Sequence, residues 1–183
     1  MEDIPALLAS TRVFEGRVFA VRSDLVGYAD GSEHRLDVVE HRGSLAIVAL
    51  RGDDSLVLVR QYRHPAGRSL WELPAGTVEP GEDPMEGARR ELREETGYTA
   101  GRMAPAGSLY VTPGFCDEVM HFFIARELEP GEQSLDEDER IDVGCFGVEE
   151  AWSLVARGEI ADAKTVLALF WMGGARGEIG APL

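Results

Sequence analysis

Only two cysteines, Cys116 and Cys145, occur in the 183 residues, and Lys164 is the single lysine among 18 basic side chains. Two thiols allow at most one bridge, so a disulfide framework is excluded, and their spacing carries no zinc signature. Both read as reduced. Positive charge is scarce too: 33 acidic residues against 18 basic ones leave a net charge of −15. That balance argues against nucleic acid and membrane surfaces as partners and in favour of divalent cations. No apolar run reaches the ~20 residues that span a bilayer. The opening MEDIPALLAS carries acid where a secretory signal carries positive charge. The expectation is a soluble, cytoplasmic protein. With 44% hydrophobic and 28% charged residues, a disordered or fibrous chain is excluded and one globular domain with a small appendage is expected.

The pattern along the chain is strands, a helix, strands, then helices, with no internal repeat. Short strand-like pieces fall at Arg12–Phe14, Arg17–Val21 and Arg35–Glu40, punctuated by Gly16, Gly27 and Asp30-Gly31. They have little core of their own. Ser44–Leu50 and Ser55–Val59 are continuous apolar runs around Arg51-Gly52-Asp53-Asp54, which predicts a hairpin buried on both faces. A helix is written into DPMEGARRELREE: Asp83 as N-cap, Pro84 at the first helical position, Glu86 completing a capping box and Gly97 as the terminating residue. Strands are expected at Ser108–Tyr110, Val119–Ala125 and Ile141–Phe146, an acidic loop over Glu127–Asp142, and helices over Val148–Arg157 and Ala163–Met172.

Within the central helix Glu91, Glu94 and Glu95 lie on or beside one face, three and four residues apart. Three carboxylates so close repel one another. They are either a charged surface interleaved with Arg89, Arg90 and Arg93, or the oxygen ligands that a hard cation such as Mg²⁺ requires. The wider spacing favours the second. Gly76, five residues, Glu82, seven residues, then Arg90-Glu91-Leu92-Arg93-Glu94-Glu95-Thr96-Gly97-Tyr98 resembles the Nudix hydrolase signature GX5EX7REUXEEXGU. The one departure is Tyr98, where a bulky aliphatic is usual and the role is packing.

That resemblance implies an α/β/α sandwich with a mixed sheet, and hydrolysis of a nucleoside diphosphate linked to another group without a covalent enzyme intermediate. Glu91 and Glu95 are then metal ligands, with the carbonyl of Ala75 turned toward the metal by Gly76. Glu94 binds a metal directly or through water, and Arg90 orients Glu82 or Glu94. Mg²⁺, with Mn²⁺ as the alternative, is the implied cofactor.

Two further segments resemble the ADP-ribose pyrophosphatase branch: Val111-Thr112-Pro113-Gly114-Phe115-Cys116-Asp117-Glu118, and the acidic Leu135-Asp136-Glu137-Asp138-Glu139-Arg140-Ile141. The resemblance makes Pro113 and Glu118 substrate contacts, Glu137 the general base and Glu139 a further metal contact, with the assignment between Glu137 and Glu139 open. Upstream, Val59-Arg60-Gln61-Tyr62-Arg63 and Trp71-Glu72-Leu73-Pro74-Ala75-Gly76 also look like this branch. Arg63 is the candidate phosphate clamp, because its planar fork bonds two oxygens at once, and Arg42 is a weaker candidate. Trp71 and Tyr62 either stack on adenine or pack in the core. The four histidines have no metal-ligand spacing.

Residues 1–43 are expected to be N-terminal antiparallel strands that dimerise, and 44–183 the catalytic domain. In this branch such strands typically form a domain-swapped homodimer whose partner completes the adenosine site. The implied reaction is Mg²⁺-dependent cleavage of ADP-ribose to AMP and ribose 5-phosphate. A hydrolase of another nucleoside diphosphate sugar, such as GDP-mannose, is the alternative, and a noncatalytic ADP-ribose sensor a more distant one.

Overall fold

A computed structural model describes residues 4–137 and 139–174. They fall into two compact units, Met1–Gly43 with Leu109–Met120, and Ser44–Ser108 with His121–Leu183.

In the larger unit, β4 (Ser44–Leu50) and β5 (Leu56–Arg63) form the expected hairpin, with Ala49 opposite Val57 and Leu50 opposite Leu56. Every residue of β4 is buried, as a strand covered on both faces requires. Side chains alternate across a strand. Leu45, Ile47 and Ala49 therefore join Val57 in a cluster with Ala88 and Leu92 of helix α1 (Pro84–Thr96), Phe123 and Ala125. On β9 (Val119–Glu129) the neighbouring Phe122 instead meets Trp171 of α3 (Ala163–Gly174), edge to face at 4.9 Å. The two-residue period thus sends adjacent side chains to helices on opposite faces, the α/β/α sandwich that was expected.

The seven-stranded sheet runs β10 (Ile141–Phe146), β5, β4, β9, β8 (Thr99–Tyr110), with β6 (Arg68–Glu72) on β5 and β7 (Ala75–Thr77) on β4. Helix α2 (Val148–Ala156) and α3 fall within two residues of their expected bounds. β6 and β7 had no counterpart in the sequence reading. β8 is far longer than Ser108–Tyr110. Its TAGRMAPAGSLY holds two glycines and a proline, which suit only the edge of a sheet, and β8 stands at the end of the strand order. β9 runs on to Glu129 and trims the acidic loop to residues 130–140.

The smaller unit is an antiparallel sheet, β1 (Ala6–Glu15), β2 (Phe19–Gly27) and β3 (Glu33–His41). All three strands exceed the short pieces read from the sequence. β1 is exposed along its whole length, so it has no in-out alternation to betray it. The segment Leu109–Met120, assigned by sequence to the catalytic domain, belongs to this unit. Val39 N–H donates to Phe115 O at 2.7 Å, Asp117 N–H to Val39 O at 3.1 Å, and Asp117 Oδ1 accepts from His41 N–H at 2.8 Å.

Candidate active site

Helix α1 begins where its capping chemistry says it should: Asp83 Oδ1 accepts from the N–H groups of Met85 and Glu86 at 3.0 and 3.3 Å. Gly97 ends it in the left-handed conformation. Between these caps Arg90 gathers three acids. Its Nε and Nη2 donate to the two oxygens of Glu82 at 2.9 and 3.0 Å, and its Nη1 donates to Glu91 Oε1 at 2.9 Å and Glu94 Oε2 at 3.0 Å. Arg90 therefore bonds both of the carboxylates named for it, and Glu91 besides. The grip on Glu82 is bidentate, and the Arg90 hydrogen bonds hold the Glu82 carboxyl below its ordinary range.

Gly87 was missed in the sequence. A β-carbon there would lie 2.7 Å from Glu82 Oε2 and 2.8 Å from Leu45, so glycine is what lets Glu82 lie against the helix. A mid-helix glycine, about 1 kcal/mol poorer than alanine, was the signal.

Glu95 is 3% exposed, and its Oε2 accepts from Ala75 N–H at 2.9 Å. Burial, with Glu91 and Glu139 adding like charge, pushes its carboxyl up to about 8 against the pull of the Ala75 N–H and Arg63. Burial also raises Glu91, with the charges of Glu94 and Glu139 adding to it. Gly76 does something other than turn the chain: a β-carbon there would meet Glu91 Cδ at 1.9 Å. The missing side chain is the space that the Glu91 carboxylate fills.

The acidic loop is tied to the end of α1. Ser134 N–H donates to Glu94 O at 3.0 Å and Gln133 Nε2 to Glu95 O at 2.6 Å, which satisfies two carbonyls the helix leaves open at its C-terminus. Gln133 was not singled out by sequence. Glu139 is half-buried and near enough to add its charge to Glu91 and Glu95. Its Oε2 accepts from Asp136 N–H at 3.1 Å. Glu137 is exposed.

Arg63, the expected phosphate clamp, is engaged within the protein. The inward positions of β5 are Gln61 and Arg63, while Arg60 and Tyr62 are exposed, so alternation does aim Arg63 inward. Its fork, however, is already closed on a protein carboxylate: Nε and Nη2 donate to the two oxygens of Glu72, both at 2.9 Å. Glu72 is 2% exposed and also accepts from Lys164. Burial drives the Glu72 carboxyl up, and the bonds from Arg63 and Lys164 outweigh it and hold the group low. An acid between Trp71 and Leu73 in a strand was the overlooked signal. Trp71 packs edge to face on Phe146 at 4.8 Å, which is the core alternative, and Tyr62 is exposed beside His64. Arg42, Pro113 and Glu118 all lie in the smaller unit, Arg42 and Pro113 exposed and Glu118 half-buried.

The donor set around Glu95 suits a hard divalent cation: oxygen ligands only, excess negative charge, and two carboxyl groups whose charged forms are disfavoured until a cation arrives. Among the described residues, no three histidine, cysteine, aspartate or glutamate side chains converge closely enough to hold an ion in this conformation. Glu91 and Glu94 are turned to Arg90 Nη1 instead.

The NUDIX domain family model matches residues 40–169. The chain is 38% identical over 167 residues to the ADP-ribose pyrophosphatase of Bacillus subtilis (strain 168), covering 90% of each. It is 34% identical over 155 residues to a GDP-mannose pyrophosphatase of Citrobacter koseri, covering 78% of this chain and 80% of that protein. Among solved structures it resembles one described as an ADP compounds hydrolase, with a TM-score of 0.80 and 26% identity over 93% of this chain and 95% of that one.

Proposed function

This chain belongs to the Nudix family, and from that premise we propose that it is a divalent-metal-dependent pyrophosphatase that cleaves ADP-ribose to AMP and ribose 5-phosphate. The observation that carries the reading is the buried Glu95, 3% exposed, pinned by the Ala75 N–H at 2.9 Å and lying within the field of Glu91 and Glu139. Burying a carboxylate with no cation beside it is costly, and such groups cluster at functional sites. The 38% identity to an ADP-ribose pyrophosphatase over nine-tenths of both chains supports the substrate.

Glu91, Glu95, Glu139 and the carbonyl of Ala75 would hold the cation, Mg²⁺ in preference to Mn²⁺. Bound there, it supplies charge neutralisation at the phosphates and a water of lowered pKa. Arg90 keeps Glu82, Glu91 and Glu94 in register, and Glu91 would exchange that partner for the cation. Glu137, at the exposed tip of a loop anchored by Gln133 and Ser134, is the general base that takes the proton from the attacking water, with Glu94 the next candidate. Arg42, Pro113 and Glu118 are substrate contacts. The 34% identity to a GDP-mannose pyrophosphatase favours a second reading, GDP-mannose as substrate. The protein works as a cytoplasmic homodimer, and the exposed apolar side chains of β1 and the free Cys116 and Cys145 support that.

The test is a hydrolysis panel of ADP-ribose, GDP-mannose, diadenosine polyphosphates and NADH with Mg²⁺, with products identified. AMP and ribose 5-phosphate formed fastest from ADP-ribose is the expected result. GDP-mannose cleaved with the higher kcat/KM would replace it.

A further inference from the structure

We propose that Lys164 is a positioning residue that frees Arg63 for the substrate, by carrying the buried Glu72 carboxylate while Arg63 turns to the diphosphate. The proposal rests on the reading that the substrate is a nucleoside diphosphate. Two cations share the one carboxylate of Glu72: the Arg63 fork at 2.9 and 2.9 Å, and Lys164 Nζ. They are not equivalent. The Arg63 side chain is 40% exposed and the Lys164 side chain 11%, so one has solvent to move into and the other does not.

Lys164 is also held from behind. Asp162 Oδ1 accepts from Lys164 Nζ at 3.0 Å and caps α3 by accepting from Thr165 N–H at 3.0 Å. Thr165 Oγ1 in turn accepts from Leu73 N–H at 2.9 Å. The first turn of α3 is thereby locked to Glu72 and its neighbour. That turn is the wrong end of a helix for a cation, since the helix dipole opposes positive charge there. It is nevertheless where the only lysine of the chain stands.

The economy of the arrangement follows from desolvation. A buried carboxylate stripped of its last cation is strongly destabilised, so a single Arg63–Glu72 pair would be a trap: Arg63 could not leave. With Lys164 fixed on Glu72, Arg63 departs and Glu72 stays paired. Arg63 already lies within the field of Glu95, on the metal side of the sheet, and its planar fork suits two phosphate oxygens as well as two carboxylate oxygens.

The experiment is steady-state kinetics of the full chain on ADP-ribose with saturating Mg²⁺, for wild type, K164M, K164R, E72Q and the K164M/E72Q double variant, with thermal denaturation of each. K164M should raise KM at least tenfold and change kcat less than threefold, because Arg63 is then the last cation on Glu72. K164R should restore KM to within threefold of wild type. Neutralising the anchor should remove the need for Lys164, so K164M/E72Q should have the KM of E72Q within threefold.

An unchanged KM in K164M, a loss confined to kcat, or a double variant as poor as K164M would overturn the proposal. If K164M does not fold, E72Q alone decides: Arg63 released from Glu72 predicts a KM no higher than wild type, and a tenfold rise refutes it. A wild-type enzyme inactive on ADP-ribose overturns the substrate reading instead, and the same variants are then read on GDP-mannose or whichever diphosphate of the panel is cleaved.

Discussion

A β-carbon at Gly76 would occupy the space of the Glu91 carboxylate, so Gly76→Ala must displace that carboxylate, the one proposed for the metal, and not strain a turn. We expect turnover to fall by roughly 10²-fold, as misplacements of about 1 Å do, with the fold intact by circular dichroism; near-normal turnover would remove Glu91 from the ligand set. Glu95 offers a pH test. Its carboxyl stands at about 8 in the folded chain and near ~4.3 in an unfolded one. Between those values the folded state binds more proton than the unfolded state. Stability of the metal-free protein is therefore full below the lower value and falls as pH rises toward 8, the reverse of a paired carboxylate, by an amount on the order of a few kcal/mol. Glu95→Gln should flatten that slope in denaturant titrations between pH 5 and 8.5 while lowering turnover by several orders of magnitude; an unchanged slope would mean Glu95 is not the group responsible. Spacing made the motif acids and Arg90 legible, because fixed separations on a helix are fixed directions in space. It did not show why Gly76 is glycine, nor that Glu72 already holds Arg63, because both depend on which strand passes which helix.

At the scale of elements, what could be read was what local chemistry determines. Asp83, Pro84 and Gly97 bounded α1 because caps act within one turn. Only the Ser108–Tyr110 end of β8 could be read, because the proline and glycines of the rest are tolerated only at its place on the sheet edge. The loop of residues 130–140 is intermediate: its acids are plain in the sequence, but its attachment to the α1 C-terminus through Gln133 and Ser134 is a tertiary contact. That attachment separates two roles. Glu139 lies close enough to Glu91 and Glu95 to perturb both, so Glu139→Gln should raise the Mg²⁺ concentration for half-maximal rate, with excess metal restoring part of the loss. Glu137 is exposed, so Glu137→Gln should lower kcat by ~10²–10⁴-fold with little change in the Mg²⁺ requirement. Rescue of Glu137→Gln by Mg²⁺, without rescue of Glu139→Gln, would exchange the two assignments; normal kinetics in both would return the base to Glu94.

For the molecule as a whole, the unanswered demand is apolar surface. β1 places Leu7, Leu8, Val13 and Phe14 in solvent at 62, 52, 62 and 51% exposure, and it stands at one end of the three-strand order. A long edge strand with exposed apolar side chains invites another chain. Three strands with so little buried beneath them are also marginal alone. A second copy of this chain answers both demands, and burying four large side chains at about 1.5–3 kcal/mol each is enough to drive association against its entropic cost. We therefore expect a dimer in light scattering at micromolar concentration. Replacing Leu7 and Val13 together with Asp should yield monomers, because charge at two exposed apolar positions of β1 opposes burial without touching the caps, the carboxylates of α1 or Lys164. If the partner copy completes the adenosine site, those monomers should lose activity in parallel with dimer content, and activity should recover with protein concentration where the dimer does. Deleting residues 1–41 should give an inactive or aggregating chain for the same reason. A wild-type monomer with full activity, or a Leu7/Val13 variant that is monomeric yet fully active, would confine the catalytic site to a single chain and leave the exposed strand for some other partner.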